Sequence, residues 1–204
     1  MQLVRRKFPI THRWLPCSVI EEEIMTNFKD RIIRAAKLDP NLYEEVEADR
    51  SAMGQAMVVV VLSSVAAGVG SIASGGLAGI LAGTIFALIG WYIWAYLTYL
   101  IGTKLLPEPQ TESNPSELLR TIGFSSSPGL IRILGIIPGL TGVVFFVAAI
   151  WMLVAMVIAV KQALDYQSTW RATGVCAIGW IIQVAVLMLV FSVFGGYVET
   201  AHGF

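Results

Sequence analysis

The sequence predicts an all-α protein: a polytopic transmembrane helical bundle of five spans, with a kinked third span and short cytosolic helices at the N-terminus. The chain is 56% hydrophobic and 14% charged, whereas an average soluble domain carries about 25% charged residues. The 22 residues from Met53 to Ser74 contain no charged side chain. About 20 apolar residues are enough for a helix to cross a bilayer, so this run predicts the first span.

The N-terminal region, residues 1–24, has a basic start but lacks the apolar run that a secretory signal requires. A second methionine, Met25, follows it. Two interpretations stay open: Met25 is the natural start of the protein, or residues 1–24 form a short disordered cytosolic tail. A peptide that spans Arg13 to Met25, found by mass spectrometry of the native protein, would contradict the first.

Residues 25–52 predict two cytosolic helices, the first of them amphipathic. Its apolar side chains recur with helical spacing: Phe28, Ile32, Ile33 and Ala36. Its basic side chains surround them: Lys29, Arg31, Arg34 and Lys37. Such a helix is suited to an anionic membrane surface, where these four cations would contact lipid headgroups. A helix that packs against the ends of the spans is the alternative that the same pattern allows.

The second cytosolic helix begins where Asp39 supplies an N-cap and Pro40 occupies the first turn. This helix is acidic, and we predict that Tyr43, Glu44 and Glu45 contact a protein partner. Paired carboxylates also suit a metal ion or acid–base chemistry, but no His or Cys is nearby in the sequence. A solvated acidic face is therefore favoured, and we predict no metal ion and no cofactor.

The remaining apolar runs cover residues 77–106, 118–137, 140–160 and 173–194. A tight connection at residues 74–76 precedes the second span. The run at residues 118–137 is the weak segment, because it carries Arg120 and Arg132 and is broken at residues 125–128. The second span ends in an aromatic belt, residues 91–99, of the kind found at membrane interfaces. A proline-rich loop, residues 107–117, closes with Asn114 and Glu117 at the spacing of a capping box. This spacing predicts that a helix starts at Pro115.

Charge decides whether the weak segment at residues 118–137 crosses the membrane. If it crosses, one side of the membrane holds every Lys and Arg except Arg132, which lies within the segment. Basic residues prefer the cytosol, so we predict five spans within residues 53–196, a cytoplasmic N-terminus and an extracytoplasmic tail at residues 197–204. Pro128 is expected to kink the third span.

Two intramembrane polar side chains are candidates for function, Arg132 and Gln183. A charged residue within a span marks a functional site by default. For Arg132 the sequence favours a plainer role, in which the side chain reaches toward the outer headgroups and pairs with Glu199. An uncharged polar residue such as Gln183 more often forms hydrogen bonds between helices.

A ridge of small residues lies on one face of the second span, at Gly75, Gly79 and Gly83. Glycines at this spacing let two helix backbones approach closely. We predict that the ridge packs on a neighbouring helix of the same chain, and a homodimer seam is the alternative.

Several function classes lack support in the sequence. The chain has 14 basic and 14 acidic residues, so it has no overall positive field for nucleic acid. It contains no metalloprotease, serine-hydrolase, phosphate-loop or Cys-x-x-Cys motif. Its histidines, His12 and His202, fall on opposite sides of the membrane in the predicted topology. We therefore predict that the protein is not an enzyme.

Three stretches carry a resemblance to a known family. They are LDPNLYEEVEAD before the first span, LRTIGFSSSPGLIRILGIIPGLTG in the weak segment, and IWMLVAMVIAVKQALDYQSTWRA at the fourth span. Over residues 30–195 the chain resembles the bacterial branch of the Yip family, small proteins with five predicted spans and a cytosolic N-terminus.

The resemblance also bears on partners. Eukaryotic relatives carry Asp-Leu-Tyr-Gly-Pro before the first span, and here Leu42 and Tyr43 match that motif while its Gly-Pro is absent. A Gly-Tyr followed by Pro in their third span corresponds to Gly123, Phe124 and Pro128. Eukaryotic members interact with Rab-type small GTPases and help vesicle traffic. The resemblance implies that a bacterial member has no Rab partner.

Taken together, the residues and the resemblance predict a non-enzymatic protein of the bacterial inner membrane that binds protein partners or organises lipid. Its expected partners are membrane lipids and a membrane or cytosolic protein, with a homo-oligomer as a further option. A small-solute or ion permease is the alternative, with a pathway past Arg132, Pro128 and Gln183.

Overall fold

The computed structural model describes the backbone of residues 17–201 and the side chains of residues 27–71, 76–186 and 188. Within this part the protein is all-α, with no strand. The helices are α1 (Cys17–Ala36), α2 (Pro40–Ala48), α3 (Ala52–Gly70), α4 (Ile72–Leu100), α5 (Pro115–Phe124), α6 (Thr141–Ala163) and α7 (Thr169–Ala201). A π-helical turn (Ile101–Leu105) extends α4, and a 3₁₀ helix (Ser127–Ile136) follows α5. The predictions made for residues 1–16, for His202 and for the side chain of Glu199 lie outside this part.

Helix starts agree with the capping residues in the sequence. Asp39 caps α2, because its side chain accepts a hydrogen bond from the backbone N–H of Asn41. Asn114 and Glu117 form the predicted capping box at the start of α5, in which each side chain bonds the other residue's backbone N–H. Both helices therefore begin where local side-chain chemistry satisfies the free N–H groups of a first turn.

Among the residues that the structure describes, four helices are long and apolar enough to cross a membrane. They are Ala52–Gly70, Gly76–Leu105, Thr141–Ala163 and Thr169–Val186. This finding confirms the prediction of a helical membrane protein. The weak segment at residues 118–137 is not among the four, so the predicted count of five spans is not confirmed.

The break between the first two of these helices lies where glycines follow a serine. Gly76 interrupts the helical geometry of α4 with a φ of 56° and a ψ of −163°. A positive φ costs glycine little because it has no Cβ. The tight connection predicted at residues 74–76 therefore contains the point at which the chain reverses its course.

The weak segment is divided into an α-helical and a 3₁₀ half. Pro128 has no N–H with which to bond the Phe124 carbonyl, as an α-helix would require. The hydroxyl of Ser127 donates to that carbonyl instead, at 2.7 Å, and the hydroxyl of Ser125 donates to the Ile122 carbonyl at 2.7 Å. The predicted interruption before Pro128 is thus present as a change of helix type, while the kink itself stays a prediction.

The two halves of this segment lie along α3 and run in the same direction. Its glycines mark the closest approaches: Gly123 lies against Ala56, Gly129 against Ser63 and Gly135 against Gly70. Helix α6 returns on the other side, with Met152 against Gly129 and Phe145 against Gly135. Small residues allow this close packing, so one face of the segment, with Gly123, Gly129 and Gly135, is buried between α3 and α6.

Candidate functional site

Two polar groupings stand out in the described residues. The first, which we call the charged cap, lies where α1, α2 and the start of α3 meet, and comprises Arg31, Arg34, Asp39, Glu45, Asp49 and Gln55. The second is Arg132 in a cavity within the bundle. Each is described in turn below.

Arg31 is the centre of the charged cap. Its guanidinium is within 2.9 Å of Glu45, 2.8 Å of Asp49 and 2.8 Å of the Gln55 side-chain oxygen. The side chain of Arg31 is only 6% exposed. Three partners for one buried guanidinium offset the loss of its hydration. The cap therefore ties α1 to α2 and to the first turn of α3.

Arg34 adds a second bridge between the same helices. It contacts Asp39 at 2.8 Å and Glu45 at 2.7 Å. The hydrogen bond from Arg34 holds the pKa of the Asp39 carboxyl below its usual value. The hydrogen bonds that Arg34 donates to Asp39 and Glu45 raise the pKa of Arg34 itself. Asp49 also has a lowered pKa: burial raises it, but hydrogen bonds from Ser51 and Arg31 outweigh the burial.

These contacts correct the expected arrangement of the basic helix. Lys29 and Lys37 are exposed and stay predicted membrane-surface cations. Arg31 is buried and Arg34 faces carboxylates, so neither is open to a lipid headgroup here. Helix α1 packs against the bundle, where the Ala36 carbonyl accepts a hydrogen bond from the Trp151 indole N–H at 2.8 Å. Of the two alternatives that the sequence left open, the packed helix describes α1.

The three predicted partner contacts lie in different environments. Tyr43 is fully buried, its hydroxyl is 3.4 Å from the Ala35 carbonyl, and burial raises its pKa. Glu45 belongs to the charged cap. Glu44 is exposed and accepts a hydrogen bond from Gln162 at 2.9 Å. A partner contact by this segment stays a prediction; a partner reaches Glu44 and the 39% exposed side chain of Glu45 without opening the structure, but not Tyr43.

Sequence reasoning missed Arg120 as a structural side chain. Arg120 is buried and donates hydrogen bonds to the Val46 and Glu47 carbonyls at the end of α2. A cation at this position satisfies free carbonyls and favours the helix dipole. The signal in the sequence was an Arg just inside an apolar segment, but the sequence does not reveal its partners 73 and 74 residues away.

Glu47 has an unusual proton affinity. Burial raises the pKa of its carboxyl to about 7, and the nearby carboxylates of Asp165, Glu117 and Glu44 add to the rise, while Arg120 opposes it. A carboxyl with a folded-state pKa above its unfolded value holds its proton more tightly when folded. The contribution of Glu47 to the free energy of unfolding is therefore greatest below the ordinary pKa of 4.5 and is lost as pH rises through about 7.

We expect Glu47→Gln to remove this pH dependence. At pH 8 the variant should be more stable than the wild type by about 1–2 kcal/mol, since partial solvent exposure screens the effect, and the two should be equally stable near pH 4. Unfolding in detergent at several pH values measures the difference. Glu112→Gln, at an exposed acid of the proline-rich loop, is the control. A constant difference between Glu47→Gln and wild type at every pH would contradict this assignment.

A large cavity lies between the helices and is partly open to the outside of the bundle, where its lining residues Phe146 and Trp180 are 67% and 66% exposed. Its volume is about 1110 Å³, and α3, α4, α6, α7 and the weak segment all contribute to its lining. In the most hydrophobic stretch of α4, 6% of the residues are buried, against 33% in α3, so α4 lies at the outside of the bundle. Gly79, Gly83 and Gln183 line the cavity. This volume is slightly above the range of about 300–1,000 Å³ for small-molecule sites.

The predicted glycine ridge borders this cavity. At Gly79 and Gly83 no atom lies within 4 Å of the position that a Cβ would occupy. The surroundings of Gly75 lie outside the described part of the chain. No described part of the chain therefore fills the space beside these two glycines, and the packing of the ridge on a neighbouring helix stays a prediction. The homodimer seam stays a prediction. Pro128 is buried in the weak segment, and Gln183 is exposed on α7.

Arg132 is fixed at the edge of the cavity by neutral oxygens. Its Nε donates to the Gly129 carbonyl at 3.1 Å, and one terminal nitrogen, Nη2, donates to the Ser63 hydroxyl at 2.7 Å and to the Ser63 carbonyl at 3.3 Å. Ser63 is buried. The sequence identified Arg132 as a candidate but not Ser63, because nothing in the sequence links two residues 69 positions apart.

The fold and the cavity define a class of protein, the helical integral membrane proteins. In the described residues no group of His, Cys, Asp and Glu could hold a metal ion. The Yip1 domain matches residues 40–191, most of the chain, and the protein belongs to this family. No curated protein and no solved structure matches the chain.

Proposed function

We propose that the protein is a non-enzymatic, bacterial-branch member of the Yip family that organises lipid in the inner membrane by holding a lipid chain inside its bundle. The observation that carries this proposal is the cavity of about 1110 Å³ with mostly apolar walls. Apolar side chains that face such a space favour an apolar occupant over water. Membrane lipid is the apolar molecule that surrounds a protein of this class.

The proposal includes five crossings, with the N-terminus in the cytoplasm and the C-terminus outside. Helix α5 and the 3₁₀ helix follow α3 from Ala56 to Gly70 in the same direction. Ten α-helical and ten 3₁₀ residues extend about 15 Å and 20 Å, which together match a hydrocarbon core of about 30 Å. Reporter fusions at the two termini test this topology, and signals from the same compartment would contradict it.

The experiment for lipid binding counts lipids in protein purified from native membranes in a mild detergent. We expect at least one phospholipid per chain in the wild type. Gly83→Leu places a side chain in the cavity without a clash and should lower the lipid content several-fold. Gly54→Leu, at an exposed glycine with no atom within 4 Å of its Cβ position, should leave it unchanged.

Two results would contradict the proposal. One is a lipid-free wild type, or equal lipid content in the wild type and Gly83→Leu. The other is solute flux through proteoliposomes that Arg132→Ala abolishes, which would support the permease alternative instead. The cavity then would be a pathway, and the polar side chains of Arg132 and Gln183 would line it.

A further inference from the structure

One charged side chain lines the cavity among the residues that the structure describes. The walls are otherwise aromatic, aliphatic, small or neutral polar, and Arg132 is the exception. Its terminal nitrogen Nη2 is next to Ser63, which lies seven residues before the end of α3 at Gly70, about 10 Å at 1.5 Å per residue. If α3 spans the bilayer as proposed, this guanidinium lies inside the hydrocarbon layer.

The positive charge of Arg132 has no counter-ion in the described part of the chain. No described carboxylate lies within 4 Å of it, and its hydrogen bonds go to neutral oxygens alone. The second terminal nitrogen, Nη1, forms no hydrogen bond with any described residue and is not among the buried unpartnered atoms. One edge of the guanidinium is therefore open to the cavity.

Neighbouring residues fix the position of the Arg132 side chain. A side chain at Gly129 would overlap the Ser63 hydroxyl, the Arg132 guanidinium and the Met152 sulfur. The glycine thus leaves the space that the guanidinium occupies, and the buried Ser63 orients it. A side chain held in this way loses little conformational entropy when it binds a ligand.

A charge in an apolar environment is costly unless an opposite charge and hydrogen bonds compensate it. A hydrogen bond from an arginine to a phosphate is charge-assisted, and such bonds are about twice as strong as hydrogen bonds between neutral groups. Apolar side chains of α4 and α6 line the same cavity as Arg132, including Ile80, Phe146 and Leu153. The site thus combines one anion-binding group with room for a hydrocarbon chain.

We propose that the cavity binds an anionic phospholipid whose phosphate pairs with Arg132 while an acyl chain lies along the walls of α4 and α6. This inference rests on the proposed lipid-binding function and adds the class of headgroup. The headgroup enters the bundle from the membrane, and the open edge of the guanidinium donates a hydrogen bond to a phosphate oxygen. Arg132 then has the counter-ion that the described residues do not supply.

The test compares two lipids with identical acyl chains, phosphatidylglycerol and phosphatidylethanolamine, by native mass spectrometry of the full-length protein in detergent. We expect the wild type to prefer phosphatidylglycerol by about tenfold, because both lipids carry a phosphate but the ammonium group of phosphatidylethanolamine neutralises its headgroup and is repelled by Arg132. Arg132→Gln should abolish the preference but keep binding of phosphatidylethanolamine within about twofold. Arg132→Lys should restore part of the preference, and Arg50→Gln, at an exposed arginine, should retain all of it.

The outcomes separate the two proposals. A wild type that binds neither lipid would overturn both the proposed function and this inference. A wild type that binds both equally, or an Arg132→Gln variant that keeps the preference, would overturn the inference alone. Displacement of phosphatidylglycerol by inorganic phosphate would also overturn it, because the site would then recognise a soluble anion. If Arg132→Gln does not fold, a weakened preference in Ser63→Ala, which removes the hydroxyl that orients the guanidinium without adding volume, would support the inference, and an unchanged preference would overturn it.

Discussion

Gly70→Ala is expected to destabilise the membrane domain by about 3 kcal/mol, the upper end of the usual cost of overpacking. A methyl group at Gly70 would overlap the backbone carbonyl of Arg132 and approach the ring of Phe145 at 3.2 Å. A carbonyl in a packed helix cannot move aside as the end of a flexible side chain can. The 3₁₀ helix would therefore have to separate from α3. The midpoint of thermal unfolding in detergent measures the change.

Gly79→Ala is the matched control, because it introduces the same methyl group on a helix of the same bundle. No atom lies within 4 Å of the Cβ position of Gly79, and alanine has the higher helix propensity. We expect this variant to be as stable as the wild type or slightly more stable. Equal stability of Gly70→Ala and Gly79→Ala would show that the weak segment does not lie against α3 as described.

Arg31→Ala is the second substitution with a large expected effect. It removes the cation that Glu45 and Asp49 share, so Asp49 loses its ion-pair partner while Glu45 keeps Arg34. Removing one partner of a buried ion pair costs about 3–5 kcal/mol. Since the two carboxylate side chains are 39% and 30% exposed, water compensates part of the loss, and we expect about 2–3 kcal/mol. The free energy of unfolding in detergent, and protease cleavage between α1 and α3, measure the effect.

Two further variants distinguish the network from charge alone. Lys29→Ala removes an exposed cation of the same helix and should change stability by less than about 0.5 kcal/mol. Arg31→Lys keeps the charge but has a single ammonium group in place of a planar fork, so it should recover only part of the lost stability. If Arg31→Ala were no more destabilising than Lys29→Ala, the charged cap would not hold α1 in place.

Much of the helical layout could be predicted from local chemistry. Asp39 and Asn114 mark helix starts because their side chains bond backbone N–H groups two or three residues away. The uncharged run after Met53 predicts a helix because a bilayer leaves no water for backbone groups. Such signals depend on neighbours in sequence, and the structure agrees with them.

The arrangement of charged side chains could not be predicted in the same way. The pattern around Arg31 is that of a surface helix, yet its partners are Glu45, Asp49 and Gln55. Tyr43 was expected to contact a partner because it is a polar aromatic in an acidic helix, but α2 buries it against the bundle. Both outcomes depend on where α2 docks, and no local pattern specifies that position.

The glycines of the bundle make the same distinction. Spacing alone favours Gly79 and Gly83 as packing residues, whereas the close contacts occur at Gly70, Gly123 and Gly129. A glycine permits another helix to approach closely, but the positions of the other helices determine whether one packs against it.

By itself the sequence determined that this chain is helical, that it is built for a membrane and where most helices begin, since hydrophobicity and capping act over short stretches. Only the tertiary structure decided that Arg31 is paired, that Arg132 is not paired with any described carboxylate, and that α4 lines a cavity together with α3, α6 and α7. Those results depend on distances between residues that are far apart along the chain. The packing of the helices sets those distances, because each helix must fit against several other helices at the same time.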